Sequence, residues 1–253
     1  MKRTPHMTAP SYRWIDYRSP DLAPPEDMVV ILPVGSTEQH GRHMPVGTDI
    51  HLAEAVALEA AAQATIPVRV LPPVWISLAE HHMDRPGTLT LDMATLDALI
   101  TGIAKALDRQ KVKRLLLLNS HGGNRNALPV IADKLTRDLT MNVAYSTYWE
   151  TAMAELTPLL EGQKMLHHAC EAETSMILHL KPETVAMEKL ADADVPATVP
   201  PQGLHLWRPF SAMTESGAYG RPDLASADKG AKMIETAGKV VGAKLSDPAN
   251  WRY

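Results

Sequence analysis

The sequence is poor in cysteine and phenylalanine and contains no long apolar run. One of its 253 residues is cysteine, Cys170, so an intrachain disulfide and a cysteine-rich zinc site are both excluded. No apolar stretch reaches the roughly 18 residues that a membrane-spanning helix needs. The first residues include basic side chains but no apolar segment, which predicts that there is no secretory signal and that the protein is cytoplasmic.

Excess charge and nucleotide-binding motifs are absent as well. The 25 Lys and Arg and 29 Asp and Glu residues give a formal charge of −4, which offers no electrostatic footprint for nucleic acid. The glycine-rich phosphate loops of nucleotide-binding proteins are missing, and so is the G-x-S-x-G motif of serine hydrolases. The chain is instead rich in histidine, with 11 residues, and their positions carry most of the functional information.

Short apolar runs alternate with segments of helical periodicity after an irregular arm over residues 1–27. This alternation predicts a single α/β domain over residues 28–253, in which helices cover both faces of a mostly parallel sheet. Ligands of such sheets bind beyond the carboxyl ends of the strands. Strands are predicted over residues 28–34, 68–71, 114–118 and 143–146, helices over 48–62, 92–107, 124–139, 171–180 and 225–245, and an extended loop over 195–209.

Histidines and carboxylates follow two of the predicted strands. Glu38, His40 and Asp49 come after the first strand, and His121 comes after the third. These side chains are therefore expected at the edge where an open sheet presents its ligands. Because strand periodicity is two, Glu38 and His40 would share one face of an extended segment, where they serve one ion together or one ion each.

A third cluster, with His168, Cys170 and Glu173, precedes and begins the helix predicted over residues 171–180. Histidine with carboxylate and without thiolate suits Zn, Mn or Fe better than Mg or Ca. The residues alone leave an alternative open, because loop histidines often only form hydrogen bonds and Asp49 is also a favourable first-turn residue of a helix.

Six motifs in fixed order resemble those of the creatininase family, the creatinine amidohydrolase-like proteins, over roughly residues 28–245. They read PVGSTEQHGRHMPVGTD at 33–49, HMDRPGT at 82–88, LNSHGGN at 118–124, YWE at 148–150, HACEAETS at 168–175 and GAYGRPDLASADKG at 217–230. The resemblance implies a single creatininase-like α/β domain, two divalent metal ions per chain (Zn, Mn or Fe) and a homo-oligomer, usually a hexamer. It further implies that His168 is catalytic, that Asp49 bridges the ions, and that the metal ligands are Glu38, His40, Asp49, His121 and Glu173.

The departures from the family pattern concern the substrate. Creatinine hydrolases proper carry a tyrosine and a glutamate where this chain has Gly122 and Gly123, which argues against creatinine as the substrate. Arg85 replaces a phenylalanine, so it either binds an anionic substrate group or faces solvent or a neighbouring subunit. The other predicted substrate-binding residues are Trp149, His82, Gly122 and Gly123, and Trp149 is equally compatible with a place in the core.

These features predict a metal-dependent hydrolase of a small molecule. A metal-activated hydroxide would attack the carbonyl of a non-peptide C–N amide bond, in a cyclic amide or a formamide. His168 would protonate the leaving nitrogen. Two alternatives remain: a catalytically inactive binding protein on the same scaffold, and a metal hydrolase of a lactone or cyclic ketone.

Overall fold

The structure is a computed structural model that describes residues 11–22, 24–190 and 206–252. The loop predicted over 195–209 therefore lies outside the described residues up to position 205. Within the described ranges, no helix is both long enough and apolar enough to cross a membrane.

The described residues form one sheet of four parallel strands. The strands are β1 (Val29–Val34), β2 (Val68–Val70), β3 (Arg114–Asn119) and β4 (Asn142–Thr147), in the spatial order β2-β1-β3-β4. All six residues of β1 are buried, as expected for a central strand that is covered on both faces. The predicted parallel α/β architecture is confirmed.

Helices cover the two faces of this sheet in separate layers. On one face, Val29 and Ile31 pack with α1 (Thr48–Gln63), α6 (Glu171–Leu180) and α7 (Ala227–Ser246). On the other face, Val30 and Leu32 pack with α2 (Met93–Arg109) and α3 (Leu128–Asp138). Two short helices follow β4, namely α4 (Tyr148–Thr151) and α5 (Met153–Leu156).

The ends of the helices follow local chemistry. The Asp92 side chain accepts a hydrogen bond from the Thr95 amide at 2.7 Å and so caps α2. The helix predicted over 124–139 begins later than expected, at Leu128, because Gly122–Asn124 forms a 3-10 turn and proline favours the first turn of a helix.

Helix α7 lies very close to α6. A Cβ atom at Gly230 would lie 1.9 Å from the Ser175 carbonyl oxygen, so only glycine permits this approach. Helix α7 also packs on α1. Helix α7 therefore packs against both α1 and α6, the helices that begin at Thr48 and Glu171.

The sheet order creates a crevice between two strands. The chain leaves β1 for β2 through α1 on one face, and it reaches β3 through α2 on the other face. At such a switch point, the loops after the two neighbouring strands diverge and leave room for a ligand. The loops that follow β1 and β3 therefore flank one candidate site.

Candidate metal centre

The loop after β1 brings Glu38 next to the start of α1. A Cβ atom at Gly35 would lie 2.8 Å from the Ile50 Cα, so glycine lets the loop lie directly against the helix. The Glu38 amide donates to the Val46 carbonyl at 3.0 Å, which closes the loop on itself. Glu38 and Asp49 are thereby placed side by side, and both are almost completely buried.

The loop after β3 is held by two asparagines. The Asn119 side chain accepts from the His121 amide at 3.1 Å and donates to the His121 carbonyl at 2.8 Å. The Asn124 side chain donates to the same Asn119 oxygen at 3.2 Å. This network fixes the backbone of His121, and its imidazole lies in the crevice with 2% exposure.

The third segment enters from α6. Ala169 has a φ of 51°, an uncommon conformation for a residue with a side chain, and it turns the chain between His168 and the helix. The Ala169 amide donates to a Glu173 carboxylate oxygen. His168 and Glu173 thus face the same space as the two loops.

Five predicted ligands converge in this space in two groups that share Asp49. His121 Nδ1 lies 2.9 Å from Glu38 Oε2 and 3.2 Å from Asp49 Oδ2. His40 Nε2 lies 3.2 Å from Asp49 Oδ1 and 3.9 Å from Glu173 Oε2. Within each group, the candidate ligand atoms all lie within 4.8 Å of one another.

Backbone carbonyls orient the two histidines of these groups. His40 Nδ1 lies 3.1 Å from the Glu38 carbonyl oxygen, and His121 Nε2 lies 2.9 Å from the Leu78 carbonyl oxygen. Because a carbonyl only accepts, each of these nitrogens carries the proton and donates it. The opposite nitrogen of each ring is left to face the carboxylates, which is the arrangement that metal-ligating histidines adopt.

The residues fit a divalent ion. Glu38 Oε2, His40 Nε2 and Asp49 Oδ2 are buried and have no hydrogen-bond partner among the described residues. Three buried carboxylates, from Glu38, Asp49 and Glu173, also require positive charge nearby. Imidazole nitrogens and carboxylate oxygens are ligands that Zn, Mn and Fe accept.

The pKa values of the same residues reflect this crowding. Burial raises the pKa of Glu38, and it raises the pKa of Glu173 to about 8. Burial opposes protonation of His40, but Asp49 and Glu173 outweigh it and raise the pKa of His40 to about 9. A divalent ion bound by these residues would displace their protons, because metal ligands bind in their deprotonated form.

His168 and His82 lie above Glu38. His168 Nε2 lies 2.7 Å from the Gln39 carbonyl oxygen, and His168 Nδ1 lies 3.5 Å from Glu38 Oε1. His82 Nδ1 lies 2.9 Å from the Gln39 side-chain amide, so it accepts, and its Nε2 lies 3.3 Å from Glu38 Oε1. Burial is the main cause that lowers the pKa of both histidines.

A cavity of about 200 Å³ opens over these groups. Of the predicted substrate-binding residues, His82, Trp149 and Gly122 line it, whereas Gly123 lies behind the lining. The lining also includes residues to which the sequence assigned no substrate role: His81, Ser120, Arg125, Leu166, His167 and Phe210.

Arg85, for which the sequence left both substrate binding and an outward position open, is not among the residues that line the cavity. Its guanidinium donates to the carbonyl oxygens of Thr214 and Glu215, at 2.9 Å each, and is half-buried. The arginine at the cavity is Arg125, which forms an ion pair with Glu150.

Phe210, the single phenylalanine of the chain, packs its ring 4.4 Å from the His82 ring and 4.6 Å from the His168 ring. Phe210 belongs to none of the six sequence motifs, and only the last of them, at 217–230, lies near it in the sequence. The sequence distinguishes Phe210 only as its single phenylalanine, and this does not indicate that the residue lies at the site.

Comparisons with known proteins give relatives that match most of this chain. The sequence is 29% identical over 210 residues to the mycofactocin precursor peptide peptidase of Mycolicibacterium smegmatis, covering 81% of this chain and 79% of that protein. It is 29% identical over 238 residues to the creatinine amidohydrolase of Pseudomonas putida, covering 88% and 89%. It is 28% identical over 231 residues to the 3-dehydro-scyllo-inosose hydrolase of Thermotoga maritima, covering 82% and 73%.

The fold is shared with solved structures of creatininase. A manganese form of creatininase superimposes with a TM-score of 0.80 at 25% identity, covering 93% of this chain and 98% of that one. The sequence model of the creatininase family, described as creatinine amidohydrolase, matches residues 15–245. This chain therefore belongs to the creatininase family.

Proposed function

We propose that this chain is a divalent-metal-dependent hydrolase that cleaves a non-peptide C–N amide bond of a small molecule. The observation that carries the proposal is the pair of ligand groups that share Asp49 beneath one cavity. Glu38 and His121 complete one group, and His40 and Glu173 complete the other. Each group would hold one divalent ion, and Asp49 belongs to both groups.

Divalent ions held there would lower the pKa of a bound water and polarise the substrate carbonyl. The chain itself supplies the proton transfer. His168 donates from Nε2 to the Gln39 carbonyl, which leaves the lone pair of Nδ1 directed to the Glu38 side of the site. In the proposed reaction, Nδ1 accepts the proton of the attacking water and then passes it to the leaving nitrogen as the C–N bond breaks.

His82 supports this step from the other side of Glu38. It accepts from the Gln39 amide, and its Nε2 lies 3.3 Å from Glu38 Oε1. The Glu38 carboxylate therefore lies between His82 and His121, whose Nδ1 is 2.9 Å from Glu38 Oε2. A fixed carboxylate costs no reorganisation when charge develops in the transition state.

The cavity favours a small, flat substrate. A volume of about 200 Å³ is below the usual range for drug-sized ligands, and the rings of Trp149 and Phe210 contribute to its wall. Gly122 leaves open space where creatinine hydrolases proper carry a larger side chain, since no atom lies within 4 Å of a Cβ built there. A cyclic amide or formamide other than creatinine is the proposed substrate class.

The test combines metal analysis with a substrate panel. Wild-type protein is assayed with cyclic amides, formamides, a peptide, lactones and cyclic ketones, with and without prior removal of metal by a chelator. We expect metal-dependent formation of a free amino group, by ring opening of a cyclic amide or by deformylation of a formamide, and its loss in Glu38→Gln and Asp49→Asn. Full activity of a demonstrably metal-free protein would contradict the proposal.

A cyclic ketone is the second candidate substrate, because the relative from Thermotoga maritima is a 3-dehydro-scyllo-inosose hydrolase. The same water would attack one ketone of a ring that carries a second carbonyl. The carbon–carbon bond would then break with its electron pair taken up by the second carbonyl as an enolate, which His168 would protonate. The panel separates the two, since turnover of ketones without release of amines would favour this candidate. Protein that binds no metal and turns over nothing would favour the inactive binding protein.

We also propose a homo-hexamer, which light scattering of the purified protein tests directly. Two large apolar side chains, Trp75 and Leu89, are 54% and 46% exposed, and the backbone of each residue forms a hydrogen bond with Thr37. Exposed apolar side chains that lie together favour an interface between subunits. A monomer at micromolar concentration would contradict this assignment.

A further inference from the structure

Gly123 packs directly on a hydrogen bond of the candidate metal centre. A Cβ atom at this position would lie 2.2 Å from the Leu78 carbonyl oxygen and 2.4 Å from His121 Nε2. It would also lie 2.8 Å from His81 Cε1. Non-bonded carbon atoms do not approach oxygen or nitrogen so closely, and the first of these atoms belongs to the backbone. A side chain at Gly123 therefore requires Leu78 and His121 to move apart.

The hydrogen bond in question sets the orientation of His121. Its Nε2–H donates to the Leu78 carbonyl at 2.9 Å, which directs Nδ1 to Glu38 Oε2 and Asp49 Oδ2. A ring that loses this partner is free to rotate, and the opposite nitrogen no longer has a fixed direction. The absence of a side chain at Gly123 thus preserves the orientation of the His121 ring, although Gly123 does not contact the carboxylates.

The neighbouring glycine has no such constraint. A Cβ atom at Gly122 would have no atom within 4 Å, and Gly122 lines the cavity rather than the Leu78–His121 contact. The two adjacent glycines therefore differ sharply in what a methyl group would meet.

The other ligand group is oriented by different contacts. His40 donates from Nδ1 to the Glu38 carbonyl, and Glu173 accepts from the Ala169 amide. Neither of these hydrogen bonds involves an atom that a Cβ at Gly123 would approach. A change at Gly123 should consequently reach one ligand group and spare the other.

We propose that Gly123 is a positioning residue for the ion held by Glu38, Asp49 and His121, and that this ion depends on it whereas the ion of the second group does not. The inference rests on the proposed two-ion function. It also gives a physical reason why a glutamate at this position, as in creatinine hydrolases proper, does not fit this chain: the space for its Cβ is already occupied by the Leu78–His121 pair.

The experiment measures Mn²⁺ binding by wild type, Gly123→Ala and Gly122→Ala. Metal-free proteins are titrated with Mn²⁺, free Mn²⁺ is followed by electron paramagnetic resonance, and circular dichroism monitors folding. We expect two ions per chain for wild type and Gly122→Ala. For Gly123→Ala we expect one ion of wild-type affinity and a second weakened by about 10- to 100-fold, the usual effect of losing an outer hydrogen bond to a ligand.

Two wild-type ions with unchanged affinities in folded Gly123→Ala would overturn the inference, and so would equal weakening of both ions. A wild-type protein that binds no Mn²⁺ would overturn the metal centre itself, which is a distinguishable result. If Gly123→Ala does not fold, a crystal structure of wild type with Mn²⁺ decides. We expect the metal to contact His121 Nδ1 while His121 Nε2 donates to the Leu78 carbonyl. Contact of the metal with His121 Nε2 would refute the inference.

Discussion

Lys229 forms a buried ion pair that joins the first turns of α6 and α7, and its removal should destabilise the protein strongly. Its ammonium group contacts Glu171, which is 0% exposed, and lies 2.7 Å from Glu161. Glu171 also accepts from the amides of Glu161 and Gly162, at 2.9 and 3.0 Å. In Lys229→Met the carboxylate keeps these two amides but loses its buried cation.

The expected cost follows from this arrangement. Removing one partner of a buried ion pair typically costs about 3–5 kcal/mol, because the other charge stays buried without compensation. Since two amides still donate to Glu171, we expect the lower end, about 3 kcal/mol. For a chain of this size, that corresponds to a fall in Tm of roughly 6–12 °C.

The assay is thermal and urea-induced unfolding, followed by circular dichroism at one fixed protein concentration. Lys239→Met is the matched control, because Lys239 is exposed on the same helix, and it should change stability by less than about 0.5 kcal/mol. In a Glu171→Gln background, Lys229→Met should cost at least about 1 kcal/mol less. Equal costs in both backgrounds, or a cost below about 1 kcal/mol in wild type, would refute the reasoning.

Three further predictions concern the site and its surroundings. His168→Gln should retain wild-type metal content but lose about 10²–10⁴-fold in turnover, since proton transfer is absent; unchanged turnover would contradict its role. Arg85→Ala should lower the free energy of unfolding by about 2 kcal/mol, because two carbonyls lose a charged donor, while Arg85→Lys should lower it less. Burial, followed by the charge of His40, lowers the pKa of His43 to about 4, so the unfolded chain binds more protons than the folded one between about pH 6.5 and 4. Stability should therefore fall by up to about 1 kcal/mol per unit as pH falls through this range, and the slope should be smaller in His43→Gln.

The position of the candidate site was predictable because it depends on local rules. Apolar runs marked the strands, and polar clusters after two of them marked the edge where parallel strands present ligands. Glu38 and His40, two residues apart, do share this space: they lie in one possible ligand group with His168, and each also belongs to a separate group that includes Asp49. The start of α6 at Glu171 also agrees with the predicted helix.

The cavity wall was less predictable because it depends on contacts between distant segments. Arg85 reaches carbonyl groups about 130 positions away, and no local pattern indicates that partner. Phe210 arrives at His82 and His168 through a similarly remote connection. The late start of α3 is a milder case, since the turn that follows His121 competes with helix formation until Leu128.

The close packing of α7 has a consequence for biosynthesis. All five proposed ligands precede α7 in the sequence, yet α6 and α1, which carry Glu173 and Asp49, are braced by it. While the nascent chain is still being made and α7 has not emerged, α1 and α6 would contact each other without this support. A chain truncated before Ala227 would carry all five proposed ligands but lack α7, so we expect it to bind metal more weakly than the full chain.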